Sequence, residues 1–458
     1  MNFYQKLALL SVLVVSITSA CKKDIQAPES PISSPYTKTY SGEFLQDYFS
    51  LQCDIVRTTD GFLPTMAARA YGYLGVTAYE AVIHGIPNGQ SLVGQVQGFD
   101  PGSLPLPDMN KKYNWAIACN AATAQMMRYM FGVNLSADNS ALIDQMEADN
   151  LAIFSSSVSD EIVSNSENFG LDLAEAIYNI SISDGGDEAY LDPFSQENPV
   201  NFPPDDYCWV PTGPQPGPLT PYWGDNRSFI SGIAPSSQVG GHIPFSIDPN
   251  SEFYAAAMEV YNQVNVLNGP EEVIITEYWA DDPFATCTPT GHTFNIIKQM
   301  CAEAGATLEK TAVAFGMMGV AENDAFISCW KSKYDYILIR PVSYIQSHID
   351  PSFSTVIGTP PFPAYTSGHS AEIGAGTKVM IHLFAEANGD YTFTDLSQVQ
   401  YGFSPRSFDN LYEMANECAL SRYYGGIHYT FDNLKGLELG FAVGNAVVND
   451  INWPQNIQ

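Results

Sequence analysis

Positive charge is what this chain has least of. Its 458 residues hold 19 Lys plus Arg against 50 Asp plus Glu, a net charge of -31. A chain this acidic repels phosphate backbones, so nucleic acid is a poor partner. Closely spaced cysteine pairs are missing as well. After Cys21, seven cysteines remain, at 53, 119, 208, 287, 301, 329 and 418, with no CxxC among them. A zinc site is therefore not expected. The odd count leaves at least one thiol unpaired within the chain, and most are expected to be small core residues. Beyond the N-terminus no apolar run is long and continuous enough to span a membrane, and no short-period repeat is present. Apolar residues are plentiful: 45% of the chain is hydrophobic and 12% aromatic, ample for a large core. Because Lys and Arg are scarce, the few that cluster stand out.

The first 21 residues read as a processing segment. MNFYQK is a weakly basic start, LALLSVLVVSI a short apolar core, and TSAC places small residues before Cys21. This ending resembles a bacterial lipobox, although Thr18 stands where leucine is usual. The resemblance implies an exported protein, periplasmic or at the outer membrane or cell surface, with Cys21 lipidated as an anchor. An ordinary secretory signal cleaved nearby is the alternative. Residues 22–36 are Pro/Ser-rich and read as a flexible tether.

The remainder, 37–458, reads as a single all-α domain. GEFLQDYFSLQCDIVR, TMAARAYGYLGVTAYEAVIHG and NKKYNWAIACNAATAQMMRYMFG repeat apolar residues every three or four positions, as do ALIDQMEADNLAIFSSSV and ENFGLDLAEAIYNISI. Asp184 to Pro249 loses the period to Gly, Pro, Asp and aromatics. It reads as a long loop region with room for short strands. The period returns at EFYAAAMEVYNQVNVL and runs through PTGHTFNIIKQMCAEAG, ATLEKTAVAFGMMGVAENDAFISCWKSK, SAEIGAGTKVMIHLFAEA, SFDNLYEMANECALSRYYG and DNLKGLELGFAVGNAVVND. A helical bundle is the expected architecture.

Three polar clusters fall in the last third. KYDYILIRP holds Lys333 and Arg340, TSGH holds Ser367, Gly368 and His369, and SRYYGGIHYTFD holds Arg422, His428 and Asp432. Each is weak alone. In this order they resemble the superfamily of vanadium-dependent haloperoxidases and type 2 phosphatidic acid phosphatases, clearly over about 279–432 and loosely before it. Thr366 departs from the proline usual before Ser-Gly-His. Two further matches point to the peroxidase branch. Trp330 lies three before Lys333, and Phe362 seven before His369. The lack of membrane spans agrees, since lipid phosphatases of this superfamily are typically multi-span.

The resemblance implies vanadate as cofactor, with hydrogen peroxide and a halide as substrates and an unspecified organic acceptor. Iodide or bromide is favoured over chloride. Vanadate is a tetrahedral oxyanion that needs several donors and compensating charge. Lys333, Arg340 and Arg422 are suited to supply the charge, with forked donors from the two guanidiniums. Ser367 adds a hydroxyl, and Gly368 a backbone N–H at a helix start that favours anions. By resemblance, His428 is the apical metal ligand, His369 the acid–base group, and Lys333 the group that polarises peroxide. Trp330 and Phe362 line the halide side. Asp432 either orients His428 or merely favours the helix dipole. An aspartate pairs with the site arginine in such enzymes; Asp282 is the match and Asp281 the alternative. His292 is expected to pack or cap near the following helix rather than line the site. Two rival readings keep the same residues: an exported acid phosphatase working through a phosphohistidine at His428, and a non-catalytic oxyanion-binding lipoprotein.

Overall fold

The computed structural model describes residues 34–194, 206–215, 217–455 and 457. The signal segment, Cys21 and most of the tether lie outside these. The described residues carry fourteen α-helices: α1 (Glu43–Thr58), α2 (Pro64–Val82), α3 (Trp115–Phe131), α4 (Ala137–Ser155), α5 (Asp160–Ser181), α6 (Ile233–Ser236), α7 (Glu252–Asn262), α8 (Pro270–Tyr278), α9 (Thr288–Glu303), α10 (Leu308–Tyr336), α11 (Pro341–His348), α12 (Gly368–Phe384), α13 (Leu411–Tyr424) and α14 (Thr430–Asp450). Their starts follow local chemistry. Asn114, Ser136, Ser159, Ser251, Thr307, Ser367 and Asn410 each cap a helix by accepting a first-turn N–H. Pro64, Pro270 and Pro341 open α2, α8 and α11, where the missing N–H costs nothing.

Long α10 is the axis of the molecule. Nearly all of Leu308–Lys333 is buried, and the helix packs on α2, α9, α12 and α14. One hydrophobic cluster joins α1–α5 to α9, α10 and α12–α14, and a second gathers Phe253, Tyr344, Tyr365 and Tyr429 beside α7 and α11. The crossing of α12 with α14 matters most for the site. A Cβ on Gly440 would come 2.1 Å from the Ala371 carbonyl oxygen, and one on Gly436 2.7 Å from that of Ser367. Only glycine admits so close a backbone approach. It presses the start of α14 against the start of α12, so that Ser367 N donates to Asp432 O at 3.1 Å.

One departure from the sequence reading has a clear cause. A helix was expected from Ser407, but Arg406–Asn410 is strand β2, antiparallel to β1 (Asp390–Asp395), with Phe393 opposite Phe408 and Asp395 opposite Arg406. The helix begins only after Asn410 caps it, and β1 supplies the partner that local periodicity cannot reveal. In the loop region, Tyr207–Trp209 pairs with Ile337–Ile339: Trp209 N donates to Ile337 O and Ile339 N to Tyr207 O, each at 2.8 Å. All seven described cysteines are buried. Among the described residues no helix is long and apolar enough to cross a membrane.

Candidate active site

Four short pieces of chain converge where α12 and α14 begin. The last turns of α10 bring Trp330 and Lys333 to one face, three residues apart. Arg340 is the residue from which α11 starts. Ser367 caps α12, with Gly368 and His369 in its first turn. Arg422 sits in the last turn of α13, and His428 just precedes α14. Lys333, Arg340, Ser367, Arg422, His428 and Asp432 are all buried. Gly368, His369, Arg422, His428, Trp330 and Phe362 share a narrow cavity of about 20 Å³. It opens past His369 and Arg422 into a wider, mostly apolar mouth of about 360 Å³, walled by residues that include Leu63, Leu219, Phe284 and Pro361.

The histidine that closes the pocket is well defined. His428 Nδ1 lies 3.0 Å from Asp432 Oδ2. Burial, then Arg340, Lys333 and Arg422, hold the ring well below its usual pKa. A neutral ring with its proton on Nδ1 presents a lone pair at Nε2, and Arg340 Nη1 donates to that atom at 3.0 Å. The same Asp432 Oδ2 accepts from the Tyr429 N–H at 3.1 Å, closing the first turn of α14.

Around Nε2 the charges are one-sided. Lys333, Arg340 and Arg422 are buried together, and Asp432 is the carboxylate in direct contact with their histidine. Desolvation, with Arg340 adding to it, pushes Lys333 down to about 7. Desolvation also lowers Arg340 and Arg422. Two guanidinium atoms, Arg340 Nη2 and Arg422 Nε, are buried without a hydrogen-bond partner among the described residues. Buried, unpaired donors on cations are costly unless an anion completes them. A Cβ on Gly368 would meet only Trp330 Cζ3, at 3.8 Å, leaving open room above the helix start. Orphaned donors, surplus positive charge and a helix N-terminus all fit a bound tetrahedral oxyanion.

Three expected residues sit otherwise than the sequence suggested. Lys333 does not point freely into the cavity. Its Nζ donates to the carbonyls of Pro363 (3.0 Å), Ala364 (3.2 Å) and Thr366, fixing the turn that delivers Ser367. Phe362 is more than a wall, because Lys333 Nζ and Arg340 Cζ lie 4.9 and 5.0 Å from its ring centre, so it holds two cations on its π face. Asp282 is exposed at the mouth, and among the described residues it forms no close ion pair with Arg422, but the two charges act on each other: partial burial raises the Asp282 pKa and Arg422 opposes the rise. Arg422 Nη1 donates instead to the Trp279 carbonyl at 2.7 Å. The aspartates are displaced by geometry: Asp281 turns inward to His292, at 2.9 Å. His369 Nε2 stands 3.3 Å from the Ala280 carbonyl. Burial and Arg422 keep its pKa well below the usual value. The carbonyls of Trp279 and Ala280 are site groups that no motif announces.

A family model for the VCPO second helical-bundle domain matches residues 313–454, the stretch that holds all three motifs. Vanadium chloroperoxidase of Curvularia inaequalis is 28% identical over 26% of this chain and 27% of its own length. The crystal structure of a bacterial vanadium-dependent iodoperoxidase is 30% identical, with a TM-score of 0.80 over 93% of this chain and 98% of that one. The chain belongs to the vanadium-dependent haloperoxidase family. A holo-type bacterial vanadium-dependent chloroperoxidase, 14% identical with a TM-score of 0.62 over 86% of this chain and 93% of its own, shares the fold. As a haloperoxidase-family enzyme this protein is all-α, as the periodicity implied, and the buried pocket at His428 stands where the family's three motifs meet.

Proposed function

We propose that the protein is a vanadate-dependent haloperoxidase that oxidises iodide, and bromide less readily, with hydrogen peroxide to a hypohalous acid equivalent. The observation that carries this is the set of buried cations around a neutral histidine nitrogen, with guanidinium donors left unpaired. Arg340, Arg422, Ser367 and the Gly368 N–H would hold vanadate, with His428 Nε2 as its protein ligand. Bound vanadate supplies a Lewis acid that activates peroxide without changing oxidation state. The chain does the rest. Asp432 keeps the His428 proton on Nδ1. Lys333 holds the turn before Ser367 and adds positive charge beside it. His369 stands at the mouth with a neutral ring, placed to accept a proton there and give it back. Trp330 and Phe362 keep the inner cavity dry, which strengthens every charge–charge interaction in it. The name of the 30% identical iodoperoxidase favours iodide among the halides.

One assay panel tests the reading. The protein is stripped of metal, reloaded with vanadate, and offered iodide, bromide and chloride with peroxide, beside a generic phosphoester. Vanadate-dependent iodide oxidation that phosphate inhibits is the expected result. Phosphoester hydrolysis without halide oxidation would establish the phosphatase alternative, and neither activity would leave an oxyanion-binding protein. For location, we propose export with lipidation at Cys21. Loss of membrane association in Cys21→Ala is expected, and retention would refute the anchor.

A further inference from the structure

Behind the wall that carries Arg422 and His369 lies a second charged array. His292, on α9, is 1% exposed. Its Nδ1 stands 2.9 Å from Asp281 Oδ2 and its Nε2 3.0 Å from Asp395 Oδ2. Burial opposes charge on the ring, but Asp281 and Asp395 outweigh it and hold the pKa up at about 10. A carboxylate stands on each nitrogen, and Gln398 Nε2 also lies 2.8 Å from Nδ1. Asp281 is fixed further by Gln398 Nε2 at 2.6 Å and Thr286 Oγ1 at 3.3 Å. Asp395, the last residue of β1, accepts from Ser397 N at 2.8 Å. The His292 ring also stacks on Trp279, with centroids 4.5 Å apart and planes 19° from parallel.

All of these contacts bear on one stretch, 279–282. Asp281 has φ of +50°, a left-handed conformation that costs a non-glycine residue about 1 kcal/mol or more and persists only where surroundings impose it. Here the side-chain contacts impose it. The same stretch offers the Trp279 carbonyl to Arg422 and the Ala280 carbonyl to His369. We infer that Asp281, His292 and Asp395 form a positioning array that clamps residues 279–282 between α9 and the β1–β2 hairpin and thereby sets where Arg422 and His369 stand at the oxyanion. The array touches neither anion nor peroxide, so its members are positioning residues. The inference rests on the assignment of Arg422 and His369 to the oxyanion site.

The test uses His292→Gln and Asp281→Asn in the full chain. Glutamine can reach one carboxylate but not bridge two, while asparagine keeps the shape of Asp281 and removes its charge. Dissociation constants of the metal-free protein for vanadate and for inorganic phosphate are measured by equilibrium dialysis. Iodide oxidation is measured as kcat per bound vanadium. His292→Gln should weaken both anions about tenfold, through Arg422. It should lower kcat about ten- to a hundredfold through His369, the cost of a misplacement of roughly 1 Å, with little change in KM for iodide. Asp281→Asn should shift both readings in the same direction by at least threefold. In a His369→Ala background the kcat effect of His292→Gln should vanish. A folded His292→Gln with anion affinity and kcat within twofold of wild type overturns the inference. So does an undiminished kcat effect in the His369→Ala background. Should His292→Gln fail to fold, the near-isosteric Asp281→Asn decides on the same readings, and wild-type values there overturn it. Should the wild type oxidise no halide, the functional reading fails, while the two dissociation constants still report on the placement of Arg422.

Discussion

Gly368 occupies the first position of α12, where the helix's leading N–H groups have no carbonyl of their own to bond. A methyl group added there meets nothing closer than Trp330 Cζ3 at 3.8 Å, an ordinary van der Waals contact, and the added Cβ lies beside the cavity shared with His369, Arg422 and His428. Gly368→Ala therefore perturbs the oxyanion and spares the protein. Folding should change by less than about 0.5 kcal/mol, the range of a substitution that breaks no packing or hydrogen bond, which for a chain of this size keeps the Tm within about 2 °C. Anion binding should suffer. Pushing an oxygen off the helix start forfeits a charge-assisted hydrogen bond worth about 1.5–3 kcal/mol, or roughly 10- to 150-fold in affinity. Equilibrium dialysis with vanadate, read by elemental analysis, gives the affinity, and calorimetry the Tm. A vanadate Kd within twofold of wild type would show that the oxyanion does not lie over Gly368. A Tm lowered by more than about 5 °C would show that the room above the helix is not open.

Three more outcomes follow from the geometry. His428→Ala removes the proposed ligand nitrogen and should lose both bound vanadium and iodide oxidation, whereas His369→Ala should keep vanadium and lose roughly two to four decades of turnover; vanadium content beside activity separates them, and a His428→Ala protein that keeps both would refute the ligand assignment. Gly440→Ala would drive a Cβ to 2.1 Å from the Ala371 carbonyl oxygen and should cost about 1–3 kcal/mol as α12 and α14 part, measured by urea unfolding; an unchanged midpoint would contradict the close crossing. His292, held at about 10 in the folded protein against about 6.5 unfolded, contributes stability that is fully present below pH 6.5 and lost as pH rises through about 10. The amount is on the order of a few kcal/mol. Wild type should therefore lose more stability than His292→Gln between pH 7 and 10, and parallel pH profiles would refute the charged assignment.

Periodicity and capping residues determined most of the helices by themselves, because an amphipathic stripe and a Ser, Thr or Asn before it act within a few residues of chain. Ser367 before α12 and the 3–4 spacing along α10 are legible for that reason. The three motifs were legible only together, through their resemblance to a known family, because each is a short local pattern that is weak alone. What local sequence could not supply was set by partners distant along the chain. Helical expectation at Ser407 lost to pairing with β1, which completes the backbone hydrogen bonds of Arg406–Asn410. The Lys333 amine turned to three carbonyls because a buried ammonium needs three acceptors, and the turn before Ser367 brings them within reach. Asp282 was the residue matched to the arginine, yet Asp281 turned inward. Its partners there, His292 and Gln398, come from α9 and the hairpin region, more than ten and more than a hundred residues away in sequence. Whether a carboxylate faces water or a buried imidazole is decided by which helix packs behind it, and only the folded chain specifies that.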